Sequence, residues 1–496
     1  MNRPQQLPPM AKLKNIVRQL SEQDYQFIYK ALGESNAEKS AHLLKSLRTR
    51  SVSDERVMEE LSVNPNAYYT LRSRLNQRIE EYLIQQMESP RTDLLKKVSN
   101  IMEIAFTKKH AIAVATLKKL EKELLDYDLF NELMLVYKVL KKLHIHSDEY
   151  FTYSQLYNQH VAFMLSLDKV EDVTASYFKK FGVYTLTGDD NDKLELELLH
   201  QEVRNISLLH KSHRLYIYQS CVEIFHRLYV VPDDETAQAD ENTEPLEDIL
   251  TKVQNIFKSY PKDALYFHIE LVFAYLRLEY YSHYGLYRKA EEYYEEVNDM
   301  AASLLGNYGW FTYPSQFLHI KLCRALRLGI THELALENEA LFEDFEYDAR
   351  NFCQYLNYMT YRALSFHFAA KHQEAANWLN ELLNASEIKK YPFVFIECKT
   401  LLALQYVMLR EEGLFQQLVS SIQRQIRMLG KEKCRHIVLL IKVMKTALSQ
   451  TKRERAKKIA VLTRQLDSIP RQLFSPTAYI KFDEAFVEKM CIPQEG

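Results

Sequence analysis

The scarcity of glycine and proline is the feature that most limits the folds open to this chain. Of its 496 residues, 10 are glycine and 13 are proline, so glycine makes up about 2% against a usual ~7%. Strand-rich folds need many tight turns, and glycine and proline are prominent among the residues that form them. The composition therefore predicts an all-α protein.

Apolar periodicity supports the same prediction. Apolar and aromatic residues recur at helical spacing in long stretches such as LELELLHQEVRNISLLHKSHRLYIYQSCVEIFHRLY and ALYFHIELVFAYLRLEYY. The sequence contains no run of 18 or more apolar residues, which a helix that spans a bilayer would need. The N-terminal stretch MNRPQQLPPMAKLKNIV lacks the apolar segment of a secretory signal. Six widely spaced cysteines without a C-x-x-C pair are typical of reduced thiols, so we expect a cytoplasmic location.

Charge is distributed unevenly although the net charge is −2. Residues 181–250 hold 15 acidic and 5 basic side chains, whereas residues 421–464 hold 13 basic and 2 acidic ones. The segment PDDETAQADENTEP, residues 232–245, lacks apolar periodicity and has six acidic residues, so it is predicted to be a solvated linker. An asymmetry of this kind bears on partners rather than on the fold.

A spacing of nine residues between an aromatic residue and an alanine occurs in AFTKKHAIAVATLKKL, YYSHYGLYRKAEEYYEEV and FHFAAKHQEAANWLNELL. An aromatic ring near the end of one helix and a small residue early in the next suit two antiparallel helices, because the ring fills the gap that alanine leaves. The spacing predicts three contacts between helices, which are Phe106 with Ala115, Tyr281 with Ala290, and Phe366 with Ala375.

This spacing resembles the tetratricopeptide repeat (TPR). In the best copy, Ala363, Phe366, Ala375 and Leu379 match the small, aromatic, small and large positions of that family, while the terminal proline arrives late, as Pro392. The resemblance implies a right-handed solenoid of helical hairpins that binds a protein or peptide on an extended concave surface. Irregular helical hairpins are the alternative.

The 33 tyrosines fit a helical array, because a tyrosine ring packs between helices while its hydroxyl reaches water. Tyr280, Tyr284 and Tyr287 are spaced to share one helical face. Interhelix packing is one interpretation of this face, and contact with a peptide partner is the other.

Motifs for catalysis are missing from the sequence. It contains no P-loop, G-x-G-x-x-G, H-E-x-x-H or G-x-S-x-G pattern, so we expect neither an enzyme nor a cofactor. His210 and His213 lie one helical turn apart, and His200 lies further back. A metal would need a third ligand from elsewhere, so no metal site is predicted.

The segment VMEELSVNPNAYYTLRSRL, residues 57–75, predicts two helices joined by a sharp turn. Val57, Met58 and Leu61 give the first helix an apolar face, while Asn64 is a favoured cap and Pro65 a favoured first residue for the second. The inward stripe expected on the second helix is Tyr68, Leu71, Leu75, Ile79 and Tyr82.

This segment resembles the helix-turn-helix of sigma-factor region four and of response-regulator output domains. It lacks their small residue in the first helix, where Met58 stands, and a glycine at the turn. The resemblance implies DNA binding, in which polar residues read base edges and arginines hold phosphates. The candidate nucleic-acid contacts are Asn66, Tyr69, Thr70, Arg72, Ser73 and Arg74. Charge supports this only weakly, because residues 36–80 hold 8 basic and 6 acidic side chains.

A basic run near the C-terminus, residues 421–466, predicts helices that break near Gly430 and again near residues 449–451. Its apolar residues can pack on the repeats, leaving a basic surface that consists of Lys452, Arg453, Arg455, Lys457 and Lys458. This surface either is simply solvated, binds an anionic partner, or contacts the acidic segment of the same chain.

These observations favour a non-enzymatic helical-repeat protein that binds a protein or peptide as scaffold or regulator. The alternative is a DNA-binding transcription regulator with the repeats as its sensor. The expected organisation is an N-terminal arm and helix at 1–35, a helix-turn-helix-like unit at 36–89, a helical-hairpin region at 90–231, the acidic linker at 232–245, TPR-like repeats with basic C-terminal helices at 246–464, and a C-terminal cap at 465–496.

Overall fold

The computed structural model describes Leu13, Val17 and Leu20 and residues 22–34, 37–49, 54–86, 90–231, 244–260, 264–345, 347–448, 452–469 and 472–491. These residues form about 25 α-helices and contain no strand. The predicted all-α class is therefore confirmed. None of the described helices is both long and apolar enough to cross a membrane. The predicted acidic linker lies mostly outside the described residues, which resume at Glu244.

The chain divides into two compact units, of which the N-terminal unit comprises residues 1–107 with 262–264. Its helices are α1 (Glu22–Glu34), α2 (Glu38–Thr49), α3 (Asp54–Leu61), α4 (Pro65–Gln86), α5 (Pro90–Ser99) and α6 (Ile101–Thr107). Its apolar core brings Leu44, Val57, Tyr68, Leu75 and Ile79 together, each almost completely buried.

The sharp turn predicted between α3 and α4 is confirmed. Ser62 takes a left-handed conformation with φ 51°, and the Val63 N–H donates to the Met58 carbonyl at 3.1 Å. Asn64 caps α4, since its Oδ1 accepts the Ala67 N–H at 2.8 Å. Pro65 is the first residue of α4, where a missing N–H costs nothing.

The second unit comprises residues 108–261 and 265–496. Its first helices are α7 (His110–Asp126), α8 (Phe130–Leu143), α9 (Glu149–Thr187), α10 (Asp190–Leu209), α11 (His213–Tyr229), α12 (Leu246–Ser259), α13 (Ala264–His283), α14 (Tyr287–Asp299), α15 (Ala301–Asn307) and α16 (Gln316–Leu328).

After a short 3-10 helix at Thr331–Glu333 come α17 (Leu334–Glu337), α18 (Glu339–Asp344), α19 (Phe352–Phe368), α20 (His372–Asn384), a 3-10 helix at Glu387–Lys390, α21 (Pro392–Met408), α22 (Glu412–Leu429), α23 (Arg435–Leu448), α24 (Lys452–Asp467), a 3-10 helix at Pro476–Tyr479 and α25 (Glu484–Cys491). Helices pack in sequential pairs, as a repeat array would. The predicted helix break at Gly430 is confirmed, and residues 449–451 lie outside the described part.

Four helical hairpins, α7–α8, α13–α14, α19–α20 and α21–α22, share one turn. In each, a residue with positive φ follows the first helix, and the next residue donates its N–H to the carbonyl five positions earlier, which satisfies a carbonyl that the helix end leaves free. The left-handed residues are Asp128, Gly285, Ala370 and Arg410. The hydrogen bonds are Leu129 to Leu124 at 3.1 Å, Leu286 to Tyr281 at 2.8 Å, Lys371 to Phe366 at 2.9 Å and Glu411 to Tyr406 at 2.9 Å.

This turn explains the nine-residue spacing in two of the three sequence segments. Tyr281 and Phe366 are the carbonyl acceptors, and the residues nine positions later, Ala290 and Ala375, are buried. The expectation for Phe106 and Ala115 is wrong, because the Phe106 side chain is 81% exposed and Ala115 is exposed as well. The shared turn occurs instead at Asp128, between α7 and α8.

Buried polar contacts attach the C-terminal segment to the last hairpins. Glu397 on α21 is 1% exposed and accepts from Ser475 at 3.1 Å and from Thr477 at 2.8 Å. Its Oε1 also lies 2.5 Å from His436 Nε2 on α23. Satisfying every oxygen of a buried carboxylate avoids a penalty of several kcal/mol, about the cost of breaking a buried pair.

We expect the left-handed residue to set the stability of each hairpin. Ala370→Gly should raise the free energy of unfolding by about 1 kcal/mol, because alanine is strained at its φ of 58°. Gly285→Ala should lower it by a similar amount, because an L residue is strained at the φ of 68° found there. This loss comes from the backbone alone, since a Cβ at this position meets no atom within 4 Å. Denaturant unfolding measures both changes.

The matched control is Ala369→Gly, because Ala369 has an ordinary φ of −78°. Glycine there should destabilise slightly, through unfolded-chain entropy. Equal effects of glycine at positions 369 and 370 would contradict the assignment of strain to the turn.

Candidate functional site

The three tyrosines that were predicted to form a partner-binding face do not lie on one helix, since Tyr284 is in a turn. Tyr280 belongs to α13, which ends at His283, and Tyr287 begins α14. The prediction of one shared face is therefore wrong, because the turn at Gly285 interrupts the helix. Tyr280 and Tyr284 remain neighbours, with ring centroids 5.1 Å apart.

Tyr287 instead lines a cavity of about 310 Å³ in the second unit. The walls come from α11, α13, α14, α16 and the 3-10 helix at Pro476–Tyr479. Four tyrosines line it, Tyr229, Tyr287, Tyr294 and Tyr479, together with charged side chains and a few apolar ones. A concave site in which polar groups converge beside aromatic rings is suited to binding a ligand.

Glu279 is the most unusual residue of this cavity. Its side chain is 1% exposed, and its Oε2 accepts a hydrogen bond from the Tyr229 hydroxyl. Its Oε1 is buried and has no hydrogen-bond partner among the described residues. Burial raises the pKa of Glu279 to about 7, even though the hydroxyls of Tyr229 and Tyr275 lower it.

An ion-pair cluster lies beside the aromatic lining. The Glu291 carboxylate on α14 accepts from Arg324 Nε at 2.8 Å and 3.1 Å and from Arg327 Nη2 at 2.9 Å. The Arg324 guanidinium lies 3.9 Å from the centroid of the Tyr294 ring, and Arg327 lies 4.1 Å from that of Tyr287. Two arginines against one carboxylate leave this cluster with one net positive charge.

His319 and Cys323 occupy successive turns of α16 and line the same cavity. His319 Nδ1 lies 2.7 Å from the Tyr479 hydroxyl, and burial lowers its pKa to about 4. Desolvation and the nearby Glu279 raise the pKa of Cys323. Cys323 is nevertheless a free cysteine with an exposed side chain.

Of the predicted nucleic-acid contacts, Tyr69, Thr70, Ser73 and Arg74 are exposed on α4. Arg72 differs, because it is 7% exposed and its guanidinium lies 5.6 Å from the centroid of the Tyr69 ring. The side chain of Asn66 lies outside the described part. Arg74 also lines a hollow of about 340 Å³, together with Lys39 and Arg78.

Lys458 is the residue of the predicted basic surface whose side chain the structure describes. It is exposed and lines a groove with Lys442 and Lys445 on α23. Lys452, Arg453, Arg455 and Lys457 belong to α24, and their side chains lie outside the description. The residues expected to pack inward are buried or half-buried, namely Ile437, Val438, Leu440, Ile441 and Met444.

The clustered histidines lie in structural contacts. His200 Nε2 is 2.5 Å from Glu223 Oε2, His213 contacts the Tyr266 hydroxyl, and the His210 ring lies 3.9 Å from that of Phe163. Across the described residues, no group of three or more His, Cys, Asp or Glu side chains is placed to hold a metal ion.

Sequence reasoning missed the cavity and Glu279. A usable signal was present in LVFAYLRLEYY, which places one glutamate in an apolar and aromatic helix. Glutamate is seldom fully buried without a partner, so a glutamate in such surroundings marks a candidate site. Comparison with known proteins adds no further guide: no family model, no curated protein and no solved structure matches this chain significantly.

We expect buried neutral histidines to make the fold acid-sensitive. Burial lowers the pKa of His226 to about 3 and that of His367 to about 4, against about 6.5 when unfolded. Between pH 6.5 and 4 only the unfolded state binds these protons, so stability present above pH 6.5 is lost as pH falls. The loss should be about 3 kcal/mol per pH unit for the two residues together.

Denaturant unfolding at several pH values measures this slope. His367→Gln should reduce the slope by about 1.4 kcal/mol per pH unit, whereas His332→Gln should leave it unchanged, because the His332 side chain is 67% exposed. An unaltered slope in the His367 variant would contradict the assignment.

Proposed function

We propose that this protein is a non-enzymatic helical-repeat protein that binds a peptide or protein partner as a scaffold or regulator. In this proposal the hairpins continue as a right-handed, TPR-like solenoid. Repeated hairpins expose extended surfaces suited to a partner. The proposal includes a cytoplasmic location, which suits the buried and unpaired thiols of Cys221, Cys398 and Cys434.

The observation that carries the proposal is the aromatic cavity beside Tyr287. Its walls combine neighbouring helices of the array, α13, α14 and α16. Tyrosine and arginine are the residue types enriched where a partner's side chain is anchored. Rings of Tyr287 and Tyr294, each stacked with an arginine, therefore offer a ready anchor site.

Selection from a random peptide library against the full chain tests this function. We expect the selected peptides to lose at least tenfold in affinity for Tyr287→Ala, because that ring forms part of the cavity wall. Phe267→Ala is the matched control, since Phe267 is 71% exposed and lies outside the cavity. A library that yields no binder, or binders indifferent to Tyr287→Ala, would argue against the proposal.

A DNA-binding regulator is the second candidate. It is favoured by the exposed face of Tyr69, Thr70, Ser73 and Arg74, which follows directly on the short turn before α4. Lys39 and Arg78 near Arg74 add positive charge to that region. Phosphate contacts of this kind would give a binding constant that falls steeply with salt.

For this candidate we expect Arg74→Ala to weaken DNA retention in a gel shift while leaving the thermal melt unchanged, because Arg74 is exposed. Arg72→Ala should instead lower the melting temperature, since Arg72 is buried against Tyr69. Retention that survives Arg74→Ala at low and moderate salt, or no retention by the parent, would eliminate this face as a DNA reader.

A further inference from the structure

We propose that the cavity beside Tyr287 binds the side-chain ammonium group of a lysine, and that Glu279 is the anion that receives it. The inference rests on the proposed function, because it names the side chain by which a peptide partner would be anchored. The partner is thereby defined as a peptide with a lysine that is free to insert.

The first argument is the unmatched carboxylate. Glu279 is almost fully buried, and one of its oxygens accepts from Tyr229 while the other accepts no hydrogen bond in the described part of the chain. The nearby Tyr275 hydroxyl donates to the Tyr313 carbonyl at 3.2 Å instead. A buried acceptor without a partner is costly, and a buried charge is costlier still. An ammonium group supplies both the hydrogen-bond donor and the opposite charge.

Contrast with other buried charges in the same unit supports this argument. Glu397, equally buried, receives Ser475, Thr477 and His436. Glu223, which lies close to His200 and Arg227, has a pKa lowered to about 2, chiefly through His200 among its partners. Glu279 has no cationic partner of this kind, and accordingly its pKa is raised rather than lowered.

The second argument is the aromatic lining. Rings of Tyr229 and Tyr479 line the cavity, beside those of Tyr287 and Tyr294, which already contact Arg327 and Arg324. Aromatic faces attract cations, and their apolar area accepts the methylene groups of a lysine. A volume of about 310 Å³ is ample for one such side chain.

The arginine cluster restricts which ligands fit. Arg324 and Arg327 share Glu291, so this part of the cavity wall carries more guanidinium N–H donors than one carboxylate can accept. It favours a ligand that brings a carboxylate or carbonyl oxygen to the arginines while a long chain extends its ammonium to Glu279. A lysine residue has this distribution of groups.

The pH dependence of binding follows from the groups around Glu279. The titratable or charged side chains that line its surroundings are Tyr229 on α11, Tyr275 and His283 on α13, Tyr287, Glu291 and Tyr294 on α14, His319, Cys323, Arg324 and Arg327 on α16, and Tyr479 on the 3-10 helix. His319 is neutral near pH 7, because burial lowers its pKa to about 4. Burial raises the pKa of Glu279 to about 7, so its charge changes between pH 6 and 8.

The test measures binding of Nα-acetyl-lysine to the full chain by ligand-observed NMR and calorimetry, with Nα-acetyl-norleucine as the uncharged probe. The two probes differ only in the ammonium group. We expect the lysine probe to bind and the norleucine probe to bind at least tenfold more weakly. The affinity for the lysine probe should rise about tenfold from pH 6 to pH 8, as Glu279 becomes ionised.

Glu279→Gln should abolish both the preference and the pH dependence, whereas Glu296→Gln, an exposed glutamate on α14 outside the cavity, should preserve them. Tyr229→Phe removes the donor that lowers the pKa of Glu279 and should move the binding midpoint to higher pH. This second variant keeps the test decisive if Glu279→Gln fails to fold, which circular dichroism would reveal.

Equal binding of the two probes, or a lysine preference that persists in Glu279→Gln, would overturn the inference. A pH dependence unchanged in both variants would assign the titration to a group other than Glu279 and overturn it too. If the lysine probe fails while selected peptides still depend on Tyr287, the cation site falls and the proposed function stands. If the lysine probe binds through Glu279 and no peptide depends on Tyr287, the cavity takes free lysine-like amines and the proposed function falls.

Discussion

The hydrogen bond that closes each hairpin turn is the interaction on which the rest of the second unit depends. A helix end leaves carbonyls without donors, and the residue after the left-handed position supplies one. In the α13–α14 turn this bond joins Leu286 to the Tyr281 carbonyl at 2.8 Å. Because the chain reverses within three residues, the following helix must run back along the first. The bond therefore determines which side chains of the two helices meet.

Buried polar side chains then connect elements that are further apart in the chain. Lys321 on α16 is 2% exposed and donates to Asn298 and Asn338, each at 2.6 Å. Gln405 on α21 lies 3.0 Å from both His367 and His372 at the α19–α20 turn. Apolar packing tolerates small shifts between helices, whereas such bonds hold one arrangement, since an unmade buried hydrogen bond costs about 1–3 kcal/mol. Several buried polar atoms of the described residues lack such a bond, and Glu279 is the one of these residues that lines the cavity.

Local signals in the sequence were sufficient for the helices and for several of their ends. Few glycines indicated helices throughout, and Asn64 with Pro65 marked the start of α4, because capping is decided by adjacent residues. Ala375 was recognisable because it follows an aromatic residue, Phe366, at the nine-residue spacing that a hairpin contact requires.

Contacts between distant segments were not predictable in this way. Arg72 lies at helical spacing from the inward residues Tyr68 and Leu75, so its burial is a local consequence of the helix that sequence reasoning overlooked. Tyr287 was assigned to the wrong helix because the spacing of aromatic residues continues through the turn, where the left-handed conformation of Gly285 changes the direction of the chain. The cavity depends on residues from five elements between Tyr229 and Tyr479, and no periodicity within one segment reports such a meeting.

The turn that separates Tyr284 from Tyr287 also explains why a cavity exists at this place. Had α13 continued as one helix, Tyr287 would lie two turns beyond Glu279 on the same cylinder, where side chains diverge into solvent. Reversal of the chain at Gly285 brings α14 alongside α13, so Tyr287 and Glu291 become a second wall facing Glu279. Arg324 and Arg327 then bind Glu291 from α16 and hold the third wall against the second. The backbone bond that defines the hairpin and the ion-pair cluster between α14 and α16 therefore hold the walls of the cavity. The shape of the cavity is thus set before any ligand enters.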